Sequence, residues 1–469
     1  MSKKDDTFDD SGAFDDAAFD DMEYQDAADR VIDALLDRVG ESAPQPRLEA
    51  TRRAVDLLGD PQRAFSVVHI TGTNGKTSTS RMVESILRAY GLRTGLMTSP
   101  HLRRLNERIE LDGAPVSNAA LVENWNDIQP YLLMVDAELT ANGDVPLTYF
   151  EALTVLAFAI FADAPVDVAV IEVGMGGQWD STNVADGQVA VFTPIALDHT
   201  RRLGSTITEI ARTKAGIIKP AASVVSALQL PEALTELRLA AELNEASLAV
   251  DATDFALESN TVAVGGQVIT VRGRAGRYED LFLPLFGDHQ AQNATLAIAA
   301  VESFLGNGEQ ALDSDALAEG LATATSPGRL QVVGTAPTVL VDAAHNPHGA
   351  AALAAAVTTY FTFDRVACVV GVLEDKDARG IIEALDSVVD EFIVTQSDSS
   401  RALNADDLAA IVAAVAGPDR VRVEPQLAAA MDEARQYASE TVKGAVLVAG
   451  SITLVADVIS LAEDERWMQ

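Results

Sequence analysis

The fold of this protein is decided by residues 67–93, which read VVHITGTNGKTSTSRMVESILRAYGLR. An apolar, β-branched run from Val67 to Thr71 comes first, and apolar residues recur at helical spacing from Met82 to Tyr90. A short loop with two glycines separates these runs, so the stretch predicts a strand, a loop and a helix. The loop, here called the phosphate loop, consists of Gly72, Thr73, Asn74, Gly75, Lys76 and Thr77.

The phosphate loop has the chemistry to bind a phosphate group. Gly72 and Gly75 allow backbone N–H groups to approach an anion, the helix N-terminus adds partial positive charge, and Lys76 adds a full charge. The usual pattern has its first glycine five residues before the second, where this chain has Ile70, so the match is to a shorter G-x-x-G-K-T form. The alternative is an ordinary glycine turn that caps a helix. The Lys-Thr pair between a strand and a helix favours phosphate binding.

Composition limits the classes of function. The chain has 469 residues, 48% of them hydrophobic, which is enough for two packed domains. The excess of 70 acidic over 34 basic residues gives a net charge of -36 and argues against a nucleic-acid partner. If the ligand is ATP, Lys76 and Mg²⁺ must overcome this field at contact distance.

Cysteine use and hydropathy predict the compartment. The single cysteine, Cys368, lies in an apolar run and is expected to be a buried thiol in a reducing cytoplasm. The longest apolar run, residues 153–162, is too short to cross a bilayer. The N-terminus carries no hydrophobic signal segment. We therefore expect a cytoplasmic protein with no membrane insertion.

The chain is predicted to have three parts. Residues 1–26 repeat phenylalanine and aspartate and are expected to form an acidic disordered tail, with an interaction role for the phenylalanines as the alternative. Residues 27–326 are expected to form a large P-loop ATPase domain with a parallel-rich sheet. A turn cluster at 326–329 marks the boundary, and residues 327–469 are expected to form a smaller Rossmann-like α/β domain.

Polar side chains follow several predicted strands of the first domain. Ser99 ends the second strand, Glu172 ends an apolar strand at 167–173, and Asp198 and His199 follow the next strand. Because ligands bind at the carboxyl ends of strands in α/β folds, these residues predict a Mg²⁺ or acid–base site. The alternatives are a turn role for Ser99 and a capping role for His199.

Three further segments of the chain can be explained either by a structural role or by a functional role. Thr148 and Glu151 open an apolar helix and fit a capping box. Lys214 lies on a predicted helix, where a lysine is normally solvated. In the second domain the polar strand ends fit either loop solubility or a site shared across a cleft between the domains, and the His345-Asn346 pair favours the shared site.

Ten segments taken in order resemble the folylpolyglutamate synthase and dihydrofolate synthase family, a branch of the Mur-type ligases. They extend over roughly residues 45 to 460 of the chain. The segments are TGTNGKTS (71–78), SPHL (99–102), ERI (107–109), TYFEALT (148–154), EVGMGGQWDSTN (172–183), LDH (197–199), KAGIIK (214–219), GDHQAQNA (287–294), PGR (327–329) and DAAHNP (342–347).

The resemblance implies ATP-dependent ligation of L-glutamate to dihydropteroate or to a reduced folate, through an acyl phosphate, by a monomeric enzyme. It implies that the phosphate loop holds ATP together with Asn293, Arg329 and Asp342. Mg²⁺ would be bound by Thr77, Ser99, Glu172 and His199, and Lys214 would be carbamylated. The residues implied in catalysis are Lys76, Glu172, His199, Lys214 and His345. Those implied on the pteridine side are Arg47, Thr148, Tyr149, Phe150, Glu151, Trp179, Asp180 and Ser181.

Two other functions compete with this one. A Mur-type ligase that acts on a nucleotide-linked peptide precursor would be expected to have an additional N-terminal substrate domain, and we expect the 66 residues before the first strand to be too few for one. A non-catalytic ATP-binding module is disfavoured by the presence of Lys76, Glu172, His199 and Lys214. The ligase prediction requires the phosphate loop and the Asp342 to Asn346 segment to converge on one nucleotide.

Overall fold

The computed structural model describes residues 22–41 and 43–468. The α-helices are α1 (Gln25–Leu36), α2 (Glu49–Leu57), α3 (Lys76–Ala89), α4 (Asn118–Ala141), α5 (Tyr149–Asp163), α6 (Thr200–Leu203), α7 (Ile207–Ala215), α8 (Pro231–Leu243), α9 (Asp288–Gly306), α10 (Ser314–Ala322), α11 (Pro347–Tyr360), α12 (Ala378–Leu385), α13 (Ala405–Ala416), α14 (Leu427–Ala438) and α15 (Ile452–Asp464).

The strands form three sheets. They are β1 (Ser66–Thr71), β2 (Thr94–Met97), β3 (Ile109–Leu111), β4 (Ala114–Pro115), β5 (Val168–Glu172), β6 (Val189–Phe192), β7 (Ser223–Ser226), β8 (Ser247–Val250), β9 (Ala256–Ala263), β10 (Gly266–Arg272), β11 (Arg277–Leu283), β12 (Gln331–Thr335), β13 (Thr338–Val341), β14 (Arg365–Val370), β15 (Glu391–Val394), β16 (Val421–Val423) and β17 (Gly444–Ala449). We call α1 to α10 the N-terminal lobe and β12 to α15 the C-terminal lobe.

The main sheet of the N-terminal lobe positions the phosphate loop. Its strand order is β4-β3-β2-β5-β1-β6-β7-β8. Strand β3 is antiparallel to both of its neighbours, β2 and β4, and the other neighbouring pairs are parallel. In the central strand β1, Ile70 is paired with Glu172 of β5 and with Val191 of β6. Because these strands are parallel, their carboxyl ends meet at one edge of the sheet. The residues that follow β1, β5 and β6 therefore lie close together.

Helices cover both faces of this sheet. One core lies under α1, α2, α4 and α5, where Phe158 and Phe161 are fully buried. The other contains apolar residues of α3, α9 and α10 together with β10 and β11 of the three-stranded antiparallel sheet. Helix α5 is apolar around most of its circumference, which is typical of a helix buried between layers.

The C-terminal lobe contains a six-stranded sheet in the order β12-β13-β17-β14-β15-β16. Strand β12 is antiparallel to β13, and the other neighbours are parallel. Helices α11 to α13 cover one face, and α14 and α15 cover the other. Cys368 lies in β14 and is fully buried, and burial raises the pKa of its thiol to about 12. The predicted buried thiol is confirmed.

The predicted α/β fold class, a large parallel-rich lobe followed by a smaller Rossmann-like one, is confirmed. The turn cluster at 326–329 lies in the connection between α10 and β12. The predicted tail lies outside the described residues up to position 21, and α1 includes Gln25 and Asp26, the last two residues assigned to the tail. In the part of the chain described, every helix is too short or too polar to cross a bilayer.

Candidate active site

A cavity of about 1190 Å³ lies between the two lobes. The phosphate loop lines it from one side and residues 342–347 line it from the other, so the two segments expected to share a nucleotide do converge. The predicted site residues that line this cavity are Arg47, Gly72, Thr73, Asn74, Gly75, Lys76, Thr77, Ser99, Thr148, Phe150, Glu151, Glu172, Trp179, Asp180, Ser181, His199, Lys214, Asn293, Arg329, Asp342 and His345.

The backbone of the phosphate loop has a conformation that requires its glycines. Gly72 and Gly75 have φ values of +149° and +87°, a region that side chains disfavour. A Cβ atom on Gly75 would lie 2.6 Å from Oδ1 of Asn293, and one on Gly72 would overlap the hydroxyl of Thr193. The loop is therefore packed closely on both flanks, and helix α3 begins at Lys76, within the last two residues of the loop.

Glu172 is the buried carboxylate next to the phosphate loop. The hydroxyl of Thr77 donates to its two oxygens at 2.9 and 3.2 Å. Burial raises the pKa of Glu172, while the charge of Lys76 and hydrogen bonds from Thr77 and the backbone of Ser99 oppose the rise. This places a carboxylate, two hydroxyl-bearing residues and a lysine in one small region, at the carboxyl end of β5.

His199 and Asp198 follow β6 and face the same cavity. His199 has a left-handed backbone conformation with φ of +49°, which is rare for a residue other than glycine and is frequent at functional sites. Burial lowers the pKa of His199 to about 4, so the ring is neutral near pH 7. A neutral imidazole has a lone pair available for a metal or a proton.

Lys214 is a buried lysine, not the solvated helix residue that its sequence context would suggest. Only 4% of its surface is exposed, and its Nζ donates a hydrogen bond to the carbonyl oxygen of Gly72 at 2.6 Å. Burial and then the charge of Lys76 lower the pKa of Lys214 to about 7. A substantial fraction of the amine is therefore uncharged near neutral pH, which is the nucleophilic form.

The part of the cavity that the pteridine was predicted to occupy has an apolar wall with polar supports. Phe150 and Trp179 line it, and Ser181 hydrogen-bonds the hydroxyl of Thr154 at 2.7 Å. Asp180 is buried and accepts hydrogen bonds from the backbone N–H groups of Met175 and Thr182. Asp180 therefore fixes the turn that presents Trp179, and its carboxylate is largely occupied within the protein.

Tyr149 is not among the residues that line this cavity, and its place on the pteridine side stays a prediction. It is 4% exposed, and the guanidinium of Arg108 lies 5.3 Å from its ring centroid. The neighbouring cap was foreseen, since Thr148 and Glu151 form the capping box of α5. Glu151 also forms a bidentate pair with Arg47 at 3.0 Å, which fixes the loop before α2 over the cavity.

The C-terminal lobe contributes residues around a short turn after β13. Asp342 accepts hydrogen bonds from the backbone N–H groups of Leu330 and Ala344, both at 2.8 Å, so its carboxylate holds the turn. Nε2 of His345 lies 3.7 Å from Oδ2 of Asp198 in the other lobe. Arg329 lines the cavity next to this turn.

One cavity residue, Lys376, was given no role from the sequence. It follows β14 and makes an ion pair with Asp198 at 3.0 Å across the lobes. Although burial opposes it, the nearby side chains of His345, His199 and Lys376 hold the pKa of Asp198 well below its usual range. Local sequence patterns contain no means to pair this lysine with a carboxylate 178 residues away.

Comparisons with known proteins identify the family. A model of the Mur ligase middle domain matches residues 70–301, and one of the Mur ligase glutamate ligase domain matches residues 328–452. A dihydrofolate synthase/folylpolyglutamate synthase of Mycobacterium tuberculosis is 46% identical over 414 residues, covering 86% of this chain and 85% of the relative. The chain belongs to the dihydrofolate synthase/folylpolyglutamate synthase family of Mur ligases.

Solved structures of this family share the fold. The M. tuberculosis folylpolyglutamate synthase, complexed with ADP, has a TM-score of 0.90 and 42% identity, with 94% of this chain and 99% of that one covered. An Escherichia coli member in complex with DHPP and ADP has a TM-score of 0.80 and 32% identity, with 93% and 98% covered. The predicted resemblance is confirmed.

The residues of this ligase fit a magnesium ion in their chemistry. Carboxylate and hydroxyl oxygens, the donors that Mg²⁺ prefers, are provided by Glu172, Thr77 and Ser99. Within residues 22–41 and 43–468, no cluster of three or more His, Cys, Asp or Glu side chains is arranged to hold a metal. A Mg²⁺ ion here would therefore depend on the two protein groups Glu172 and His199, on hydroxyls, and on nucleotide phosphates and water.

Proposed function

We propose that this protein is an ATP-dependent ligase that joins L-glutamate to dihydropteroate, to the glutamate chain of reduced folates, or to both. The observation that carries the proposal is the convergence of the phosphate loop and the Asp342 to His345 turn on one cavity between the lobes. A carboxylate is a poor acyl donor, so ATP must first convert it to an acyl phosphate. The amine of glutamate then displaces phosphate.

Phosphoryl transfer depends on positive charge at the phosphate loop. Lys76 and the N-terminus of α3 face the cavity, and both stabilise negative charge on the transferring group. The two lobes border this region, and their closure over it would exclude water from an acyl phosphate that would otherwise hydrolyse. A site shared by two lobes therefore suits a reaction with a water-sensitive intermediate.

Thr77, Ser99, Glu172 and His199 are the residues proposed to hold Mg²⁺. When bound, the ion supplies charge neutralisation for the ATP phosphates. The raised pKa of Glu172 reflects burial without a full countercharge, and a cation would relieve this cost. Thr77 keeps the carboxylate oriented through its hydroxyl hydrogen bonds.

Carbamylation of Lys214 is part of the same proposal. The reaction requires an uncharged amine, and burial with the nearby charge of Lys76 already lowers the pKa of Lys214 to about 7. Addition of CO₂ to the uncharged amine forms an N–C bond and releases one proton, so a neutral amine becomes a two-oxygen anion. This anion would lie close to the proposed metal ligands and beside Gly72.

The acceptor acid is proposed to lie against Phe150, Trp179 and Ser181. A planar pteridine suits an aromatic wall with a small polar partner, and Phe150 and Trp179 both line the cavity. The guanidinium of Arg47 lies at the rim, held by Glu151. We further infer a monomeric cytoplasmic enzyme, in keeping with the buried thiol of Cys368.

The test is an assay of ADP release by the purified chain with every combination of glutamate and acceptor. ADP release that requires both glutamate and dihydropteroate or a reduced folate supports the proposal. ADP release only with a nucleotide-linked peptide precursor would support the rival Mur-type ligase. ATP binding without ADP release under any combination would support a non-catalytic module.

A further inference from the structure

A reciprocal pair of amide hydrogen bonds joins the phosphate loop to the C-terminal lobe. Nδ2 of Asn346 donates to Oδ1 of Asn74 at 2.9 Å, and Nδ2 of Asn74 donates to Oδ1 of Asn346 at 3.3 Å. The two residues are 272 positions apart in the chain. We call this pair the amide clasp.

The geometry of Asn346 is fixed from both sides. Its Oδ1 also accepts from the backbone N–H of Gly349 at 2.8 Å, which makes it the N-cap of α11. Its Nδ2 also donates to Oδ2 of Asp198 at 3.4 Å. The residue is 5% exposed, and both its oxygen lone pairs and both its amide hydrogens have partners. Asn346 therefore both caps α11 and hydrogen-bonds to the phosphate loop.

The phosphate loop is otherwise held by its own lobe. Thr73 exchanges hydrogen bonds with the backbone of Ala196 through its hydroxyl at 3.0 and 3.1 Å. Gly75 lies beneath the side chain of Asn293 in α9. Asn74, between them, makes its described side-chain bonds to the other lobe, to Asn346 and to Nδ1 of His348 at 2.9 Å. The middle of the loop is thus positioned from across the cleft.

We infer that Asn346 is a positioning residue that makes the geometry of the phosphate loop depend on closure of the two lobes. If the lobes separate, Asn74 loses these partners, and the loop keeps only the contacts on either side of it. The phosphates would then be held less well in an open cleft. Phosphoryl transfer would be disfavoured where an acyl phosphate would be exposed to water.

The inference rests on the proposed ligase function, so its test needs one measurement that does not require turnover. Calorimetry would give the affinity of the full-length chain for a non-hydrolysable ATP analogue. The same preparations would then be assayed for ADP release with glutamate and acceptor, separating kcat from KM. The variants are Asn74→Ala, Asn346→Ala, the double variant and Asn346→Ser.

Because an unsatisfied buried amide is costly, we expect Asn74→Ala and Asn346→Ala each to weaken analogue binding by about tenfold. If the pair acts as a unit, the double variant loses no more than about threefold beyond either single one. We expect kcat to fall in parallel. If the two effects are independent, they multiply to a loss of affinity of about a hundredfold in the double variant. That result would overturn the clasp.

Two variants separate the clasp from helix capping. Asn346→Ser keeps a side chain that caps α11 but is too short to make the reciprocal pair, and we expect it to bind the analogue as weakly as Asn346→Ala. Asn404 is the exposed N-cap of α13 in the same lobe, and we expect Asn404→Ala to bind within about twofold of the original protein. Normal binding by Asn346→Ser, or an equal loss in Asn404→Ala, would contradict the inference.

The binding and turnover measurements together distinguish failure of the clasp from failure of the proposed ligase function. Suppose that the losses of analogue affinity are coupled but ADP release does not need glutamate. That result would support the clasp and reject the proposed ligase function. Glutamate-dependent turnover, with losses of analogue affinity that multiply in the double variant, would support the ligase and reject the clasp.

Discussion

The amine of Lys214 donates a 2.6 Å hydrogen bond to the carbonyl oxygen of Gly72, the first glycine of the phosphate loop. The contact joins α7 to the loop across 142 positions of sequence. A carbamate nitrogen keeps one hydrogen, so this bond is compatible with the proposed modification. Lys214 would then both support the loop and present an anion beside it.

Replacement of Lys214 by alanine should abolish ligation, by about 100-fold or more, because residues that support metal ligands have effects of this order. Acetate or propionate should restore part of the activity by filling the vacated space with a carboxylate. Lys214→Arg is the control, since it keeps a cation but cannot carry a carbamate, and it should stay inactive with added acid. Failure of every short acid to rescue Lys214→Ala would count against carbamylation.

Lys76→Ala should reduce kcat by about 10²- to 10³-fold, because charge on the transferring phosphoryl group would go uncompensated. The measurement is ADP release at saturating ATP, glutamate and acceptor. Lys443→Ala removes an exposed lysine outside the cavity and should be fully active. Near-normal turnover of Lys76→Ala would refute the role of the phosphate loop.

Glu172→Gln keeps the shape of the side chain but removes the proposed anionic ligand. We expect the Mg²⁺ concentration for half-maximal activity to rise by about tenfold or more. Glu110→Gln is the matched control, because Glu110 is also buried but is paired with Arg81 outside the cavity. An unchanged Mg²⁺ dependence in Glu172→Gln would remove Glu172 from the metal site.

The stability of the fold should depend on pH through His69. This ring is fully buried in β1 beside Thr182, and burial lowers its pKa to about 3 from an ordinary value of 6.5. Between these values the unfolded chain binds a proton that the folded chain does not. Its contribution to stability is therefore complete above about pH 6.5 and falls by up to about 1.4 kcal/mol for each pH unit below it.

Urea unfolding at pH 7 and pH 5 measures this effect. His69→Gln should show a smaller loss of stability on acidification than the original protein, by about 2 kcal/mol at most. An equal acid sensitivity in the original protein and in His69→Gln would contradict the prediction.

The sequence predicted the lobes and the strand ends better than the contacts across the cleft. Apolar runs fix which segments become buried strands, and the rule that ligands bind at carboxyl ends brings Ser99, Glu172 and His199 together. Helical periodicity cannot say which side of α5 meets the cavity when nearly every side is apolar, so it could not foresee that Phe150 lines the cavity and Tyr149 does not. The pairing of Lys376 with Asp198 depends on how the lobes dock, which local patterns do not contain.

The thiol buried in β14 gives this chain an internal reporter. Cys368 is its only cysteine, and it cannot react with an alkylating dye while the six-stranded sheet is intact. The rate of labelling therefore records how often the C-terminal lobe opens, independently of the lobe that carries the phosphate loop. Labelling with and without nucleotide would show whether a ligand held between the lobes slows the local unfolding of the C-terminal lobe.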